Sequence, residues 1–137
     1  MVRDNKVTRI KTDDTIIKRK AEGDRQDERL IKMSNITLKK EDRLICFSDG
    51  VSQSGIGNRD MPFGWEDGID EFIEELVKKK PKISARELSM RIVKQAELND
   101  ILKPKDDTSC VVLYVREPRR LLICTGPPFS ENKDKYL

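Results

Sequence analysis

Between residues 65 and 98 apolar side chains recur at helical spacing, and on both sides of that stretch they gather in short unbroken runs. Trp65, Ile69, Phe72, Ile73 and Leu76 fall on one face of a helix. The run of lysines that follows suits a helix C-terminus, and Pro81 prevents continuation. Ser84-Ala85-Arg86-Glu87 has the form of a capping box opening a second helix, whose stripe is Ala85, Leu88, Ile92 and Ala96. Strand-like runs precede the helices ("KVTRI", "TIIKRK", "LIKMSNITL", "RLICF") and follow them ("SCVVLYV", "RRLLICT"). The paired aspartates of "KTDDT" suit a turn, and "AEGDRQDER" reads as an exposed loop. Strands, two consecutive helices and two closing strands predict an α+β domain on antiparallel sheets, not a doubly wound parallel one.

Composition narrows the chemistry. The 137 residues suit one domain. Charged residues make up 39% of them, so the surface is heavily charged over an economical core. The 28 basic and 25 acidic side chains are interspersed, and only 5% of residues are aromatic. A nucleic-acid binder would carry a basic stripe with aromatics between its charges, so no nucleic-acid partner is expected. No apolar stretch approaches the ~20 residues that span a bilayer. The opening "MVRDNKVTRIK" lacks an apolar signal core, which predicts a cytoplasmic chain with no membrane segment. Cys46, Cys110 and Cys124 each sit in an apolar run, as buried free thiols do in a reducing compartment.

There is no histidine. That excludes a Ser-His-Asp triad, a Cys-His pair and a His-ligated zinc within the chain. Carboxylates, lysines, hydroxyls and thiols remain, and among metals they favour oxygen-loving Mg²⁺ and Mn²⁺. Gly55 and Gly57 lack the third glycine and the strand-to-helix setting of a dinucleotide loop.

Two places carry candidate chemistry: Asp49, closing the run "LICFSDG", and Asp106-Asp107, opening "DDTSCVVLYV". One lies at the C-terminal end of a strand and the other at the N-terminal end. In antiparallel neighbours those ends adjoin, so carboxylates 57 residues apart would meet at one edge of the sheet. Gathered carboxylates need a raised pKa or a bound cation to offset their repulsion. A divalent ion does this and also lowers the pKa of its bound water. Gly50 would let backbone and solvent approach such an ion. Asp-Gly and Asp-Asp-Thr-Ser are equally ordinary turn sequences, and spacing alone leaves both readings open.

Taken together, "DRLICFSDGVSQSG" and "KDDTSCVVLYV" resemble the metal-dependent PPM protein phosphatases, in the bacterial branch typified by the sporulation phosphatase SpoIIE. In that family a hydrophobic strand ends in (Ser/Thr)-Asp-Gly-(Val/Ile), a helical insertion follows, and Asp-Asp-x-(Thr/Ser) opens a closing strand. Ser48-Asp49-Gly50-Val51 and Asp106-Asp107-Thr108-Ser109 stand in that order here. The resemblance implies a layered β-sandwich with flanking helices. It also implies hydrolysis of phosphoserine or phosphothreonine at a binuclear Mn²⁺ or Mg²⁺ centre. Asp49 and Asp106 would be metal ligands, with Gly50 and Asp107 in support. Substrates in this branch are often small regulatory proteins, such as phosphorylated anti-sigma-factor antagonists.

The family's early aspartate and second Asp-Gly turn have no counterpart here. Residues 1–117 are therefore expected to be the C-terminal part of such a domain. Residues 118–137 would add a strand and a polar tail leading into a further C-terminal region. On that expectation the isolated piece is inactive or nearly so, and its uncovered sheet edges favour weak homodimerisation. Two other readings stand beside it. One is a non-catalytic relative that docks a regulatory protein; the other is an unrelated α+β binding domain whose aspartates are turn residues. Gln53 replaces the acidic residue common after the Asp-Gly motif, either tuning metal affinity or sitting as a solvated loop residue.

Overall fold

A computed structural model describes residues 1–10, 13–19, 27–57, 62–103, 105–117 and 119–125. In chain order the elements are β1 (Val2–Arg3), β2 (Lys6–Val7), β3 (Asp13–Arg19), β4 (Asp27–Leu38), β5 (Arg43–Phe47), α1 (Asp49–Ser52), α2 (Gly68–Lys79), α3 (Ala85–Asn99), β6 (Cys110–Tyr114) and β7 (Arg119–Thr125). Helices and antiparallel strands together make this a mixed α+β chain. It divides into two units, residues 1–9 with 38–119 and residues 10–37 with 120–137.

The first unit carries a four-stranded sheet in the order β2-β1-β5-β6, antiparallel throughout. Asp4 and Asn5, both at positive φ, make the two-residue turn between β1 and β2. β5 and β6 pair along their whole length, from Arg43 with Tyr114 to Phe47 with Cys110. Ile45, Cys110 and Val112 face the helices and pack on a core of Ile69, Ile73 and Val77 from α2 and Leu88, Ile92 and Ala96 from α3. Of the expected stripes Ile69, Ile73, Leu88, Ile92 and Ala96 are buried, and Phe72, Leu76 and Ala85 are half-buried.

Each helix boundary has a local cause. Ser84 caps α3 by accepting from the Glu87 amide at 3.1 Å. Glu87 does not complete the capping box; its carboxylate meets Lys80 at 2.6 Å and Arg91 at 3.1 Å. α2 stops at Lys79, ahead of Pro81. Trp65 corrects the expected stripe: it lies ahead of α2 and is 60% exposed. Turns and bends occupy residues 63–67, with the Trp65 amide donating to the Pro62 carbonyl and the Gly68 amide to the Trp65 carbonyl.

The second unit holds β3, paired antiparallel with β4, and β7 as the other neighbour of β4. Asp13 and Asp14 lie inside β3, opposite Met33 and Lys32, and do not form the expected turn. Both are in register with β4, and that strand pairing outweighs the turn preference of aspartate. Residues 20–26 of the expected loop and the tail after Thr125 lie outside the described residues. Among the described residues, no helix is long and apolar enough to cross a membrane.

Candidate metal centre

The antiparallel pairing of β5 with β6 brings the two aspartate motifs together. Past the last ladder pair, Phe47 with Cys110, the Ser48 amide donates to the Ser109 carbonyl at 3.0 Å. The Ser48 hydroxyl then joins the motifs twice. It donates to the Asp107 carbonyl at 2.8 Å and accepts from the Ser109 amide at 3.0 Å. Ser48 also occupies the N-cap position of α1, but its side chain caps no α1 amide because it is committed across the strands.

Gly50 is buried at the point of closest approach. A Cβ there would lie 2.9 Å from the Asp107 carbonyl carbon and closer still to its oxygen. The glycine was expected to leave room for an ion and solvent; the backbone of residues 106–107 takes that room instead. This close approach seats residues 49–50 against residues 106–107.

Asp49, Asp106 and Asp107 are all exposed. One oxygen of Asp49 accepts from the Gly50 amide at 3.1 Å, and one of Asp106 accepts from the Asp107 amide at 2.7 Å. Such one-residue contacts hold the carboxylates near their own backbone and leave the second oxygen of each open among the described residues. The Thr108 hydroxyl donates to the Asp106 carbonyl at 3.2 Å, tightening the second motif.

The surrounding loops are anchored by residues that the sequence pattern did not single out. The Gly55 amide donates to the buried Asp100 carboxylate at 2.7 Å, and Asn99 donates to the Ser54 hydroxyl at 3.3 Å. The Lys105 ammonium donates to the Ile56 carbonyl, linking the loop after α1 to the segment that enters Asp106. Gln53, at the C-cap of α1, is exposed. A serine immediately before Asp-Gly was the one available signal for the bridging hydroxyl. Asp100 gave none, because a helix-ending Asn-Asp reads as ordinary surface.

Chemically the donor set is oxygen only, which fits a hard divalent ion and no thiophilic one. Among the described residues no three carboxylate, thiol or imidazole side chains form a ready-made metal group. What the strands bring together is the backbone of the two motifs, with Asp49 on one and Asp106 and Asp107 on the other. Cys46 and Cys110 lie in the strands three residues from Asp49 and Asp107. The Cys110 thiol is pushed up to about 11 by burial, which keeps it protonated. Cys46 is exposed on the opposite face of β5, correcting the expectation that it is buried. The side chain of Cys124 lies outside the described residues.

Against family models, curated proteins and solved structures, the chain finds no match.

Proposed function

We propose that this chain belongs to a PPM-type protein phosphatase of the SpoIIE-like branch and supplies Asp49 and Asp106 to its metal centre. The observation that supports it is the convergence of Ser48-Asp49-Gly50 and Asp106-Asp107 through Ser48 and the Gly50 contact. The layered β-sandwich of that family is part of the same proposal.

In this reading Asp49 and Asp106 would hold Mn²⁺ or Mg²⁺, and Asp107 would support the site. The bound ions would activate water for attack on a phosphoserine or phosphothreonine ester and stabilise charge on the phosphoryl oxygens. The chain's own part is to fix the carboxylates on rigid strand ends and to keep Gly50 out of the way. A binuclear centre takes more oxygen donors than these three side chains provide, so full activity needs ligands beyond them. A groove of about 980 Å³ runs beside α3 past Met90, Val93 and Leu102 and ends at Thr108 and Ser109. In this reading a phosphorylated regulatory protein, of the anti-sigma-factor antagonist kind, would lie there.

The test is Mn²⁺-dependent phosphate release from a phosphoserine peptide by the protein at its full natural length. Asp49→Asn and Asp106→Asn should each reduce it by about 10² or more, the scale of removing one group that stabilises transition-state charge. Metal-dependent turnover that survives both substitutions would refute the assignment.

A second reading, a module that docks a regulatory protein without catalysis, is favoured by one observation. On the face of β5 and β6 away from the helices, Cys46 is exposed, Val111 is 62% exposed and Leu113 is 50% exposed. Exposed apolar side chains in a row on a sheet are the kind of surface that partners cover.

A further inference from the structure

At the opposite end of the β5–β6 pair from Asp49 lies a cleft of about 820 Å³, within the size range of small-ligand sites. Five residues lie between Arg43 and Asp49, most of them in β5, so the two places are roughly 20 Å apart at strand rise. Lys39, Lys40, Lys82 and Arg116 line the cleft, and none has an ion-pair partner among the described residues. Asp4 and Glu41 also line it, both exposed.

The informative residue is Arg43. It is only 7% exposed, lines the cleft, and stacks on the Tyr114 ring with its guanidinium carbon 5.2 Å from the centroid. Its Nη2 donates to the neutral Pro81 carbonyl at 2.7 Å, and its buried Nε has no hydrogen-bond partner. A buried cation is ordinarily paired with a carboxylate. The nearest in sequence, Asp42, is already committed. Its two oxygens accept from Arg3 at 2.9 and 2.6 Å, and the Lys39 amide donates to it at 2.6 Å. Arg43 therefore brings positive charge to the cleft wall with nothing on its own side to neutralise it.

The N-terminus of α3 reaches the same cleft through Ser84 and Ala85. Ser84 satisfies the Glu87 amide with its hydroxyl and the Leu88 amide with its carbonyl. The Ala85 amide, first of the helix, has no intrahelical acceptor. The positive end of a fifteen-residue helix thus adds to the field of Arg43 and Lys82.

We propose that this cleft binds a small phosphorylated molecule, its phosphate seated at the N-terminus of α3 against Arg43 and Lys82. A phosphate oxygen supplies the counter-charge that Arg43 lacks, and the planar guanidinium suits it better than an ammonium would. The cleft is larger than one phosphate ion, so the ligand is an ester or diphosphate of metabolite size. The inference does not depend on the phosphatase assignment, and its site shares no residue with the candidate metal centre.

The experiment is a titration of the ¹⁵N-labelled chain with inorganic phosphate and with pyrophosphate, ionic strength held constant with chloride, followed by NMR. Saturable shifts of the Arg43 Nε–H and Ala85 amide signals, tighter for pyrophosphate, are expected. Arg43→Lys should weaken binding about tenfold, equivalent to the loss of one charge-assisted hydrogen bond. Should that variant not fold, Lys82→Ser, at an exposed position, should weaken it severalfold with the fold intact. Shifts that grow linearly without saturating, that follow chloride equally, or that persist unchanged in Lys82→Ser would overturn the proposal. A phosphoserine peptide that outcompetes pyrophosphate at the same signals would overturn the small-molecule assignment.

Discussion

Gly50 and Ser48 tie the two aspartate motifs by opposite means, one by having no side chain and the other by having a short polar one. At Gly50 even a methyl group meets the backbone of Asp107, which cannot swing aside as a flexible side chain would. Gly50→Ala should destabilise the chain by about 1–3 kcal/mol, the usual cost of forcing extra atoms into a packed site. Urea denaturation checks this; an unchanged midpoint would mean that the motifs are not in contact. The cysteines offer a chemical check on the sheet faces. Cys110 faces the helices, with its thiol held near 11, whereas Cys46 is exposed on the other side. Iodoacetamide at pH 8 should therefore modify Cys46 well before Cys110. Equal rates, read by peptide mass spectrometry, would contradict the assignment of faces.

At the scale of elements, α2 is fastened to the sheet by Glu74. Its carboxylate accepts from the Val7 amide at 3.0 Å and pairs with Lys6 at 3.2 Å and Lys78 at 3.3 Å. These bonds, the Val7 amide first, hold its pKa down to about 2, against an ordinary 4.5. A depressed carboxylate stabilises the fold above its unfolded pKa and loses that contribution as pH falls towards the folded value. Glu74→Gln should thus lower the urea midpoint at pH 6, and the gap from the parent chain should close as pH approaches 2. A gap that does not change with pH would show that the charge is irrelevant. The helices were legible in the sequence because a 3.6-residue stripe and a Ser-x-x-Glu cap are local signals. Trp65 departs from the expected stripe for a related reason: it extends the period of α2 backwards, but the turns of residues 63–67 intervene. Asp13 and Asp14 were misassigned because strand pairing with residues 32–33, far along the chain, overrode a local turn preference.

For the whole molecule, the arrangement of elements explains why two short motifs 57 residues apart could be read as one site. Between Asp49 and Asp106 the described residues form helices and connections that return the chain to the strand beside β5. The antiparallel meeting of the strand ends followed from the order of elements. The bridging hydroxyl, the buried Asp100 and the unpaired Arg43 did not, since each depends on contacts between segments far apart in sequence. The exposed apolar side chains on the outer face of β5 and β6, where β6 is the last strand of its sheet among the described residues, give the weak self-association expected from the sequence a place to be tested. Val111→Lys should abolish any concentration-dependent rise in light-scattering mass without unfolding the chain; a rise unaffected by it would place the contact elsewhere. The central claim is that Asp49 and Asp106 act together on one divalent ion. Mn²⁺ titration of the ¹⁵N-labelled chain tests it most directly, because paramagnetic broadening reports which amides lie near the ion. Saturable broadening confined to residues near 49–51 and 106–108, lost in both Asp49→Asn and Asp106→Asn, is the predicted result. Broadening scattered over the acidic surface, or unchanged in either variant, would contradict it.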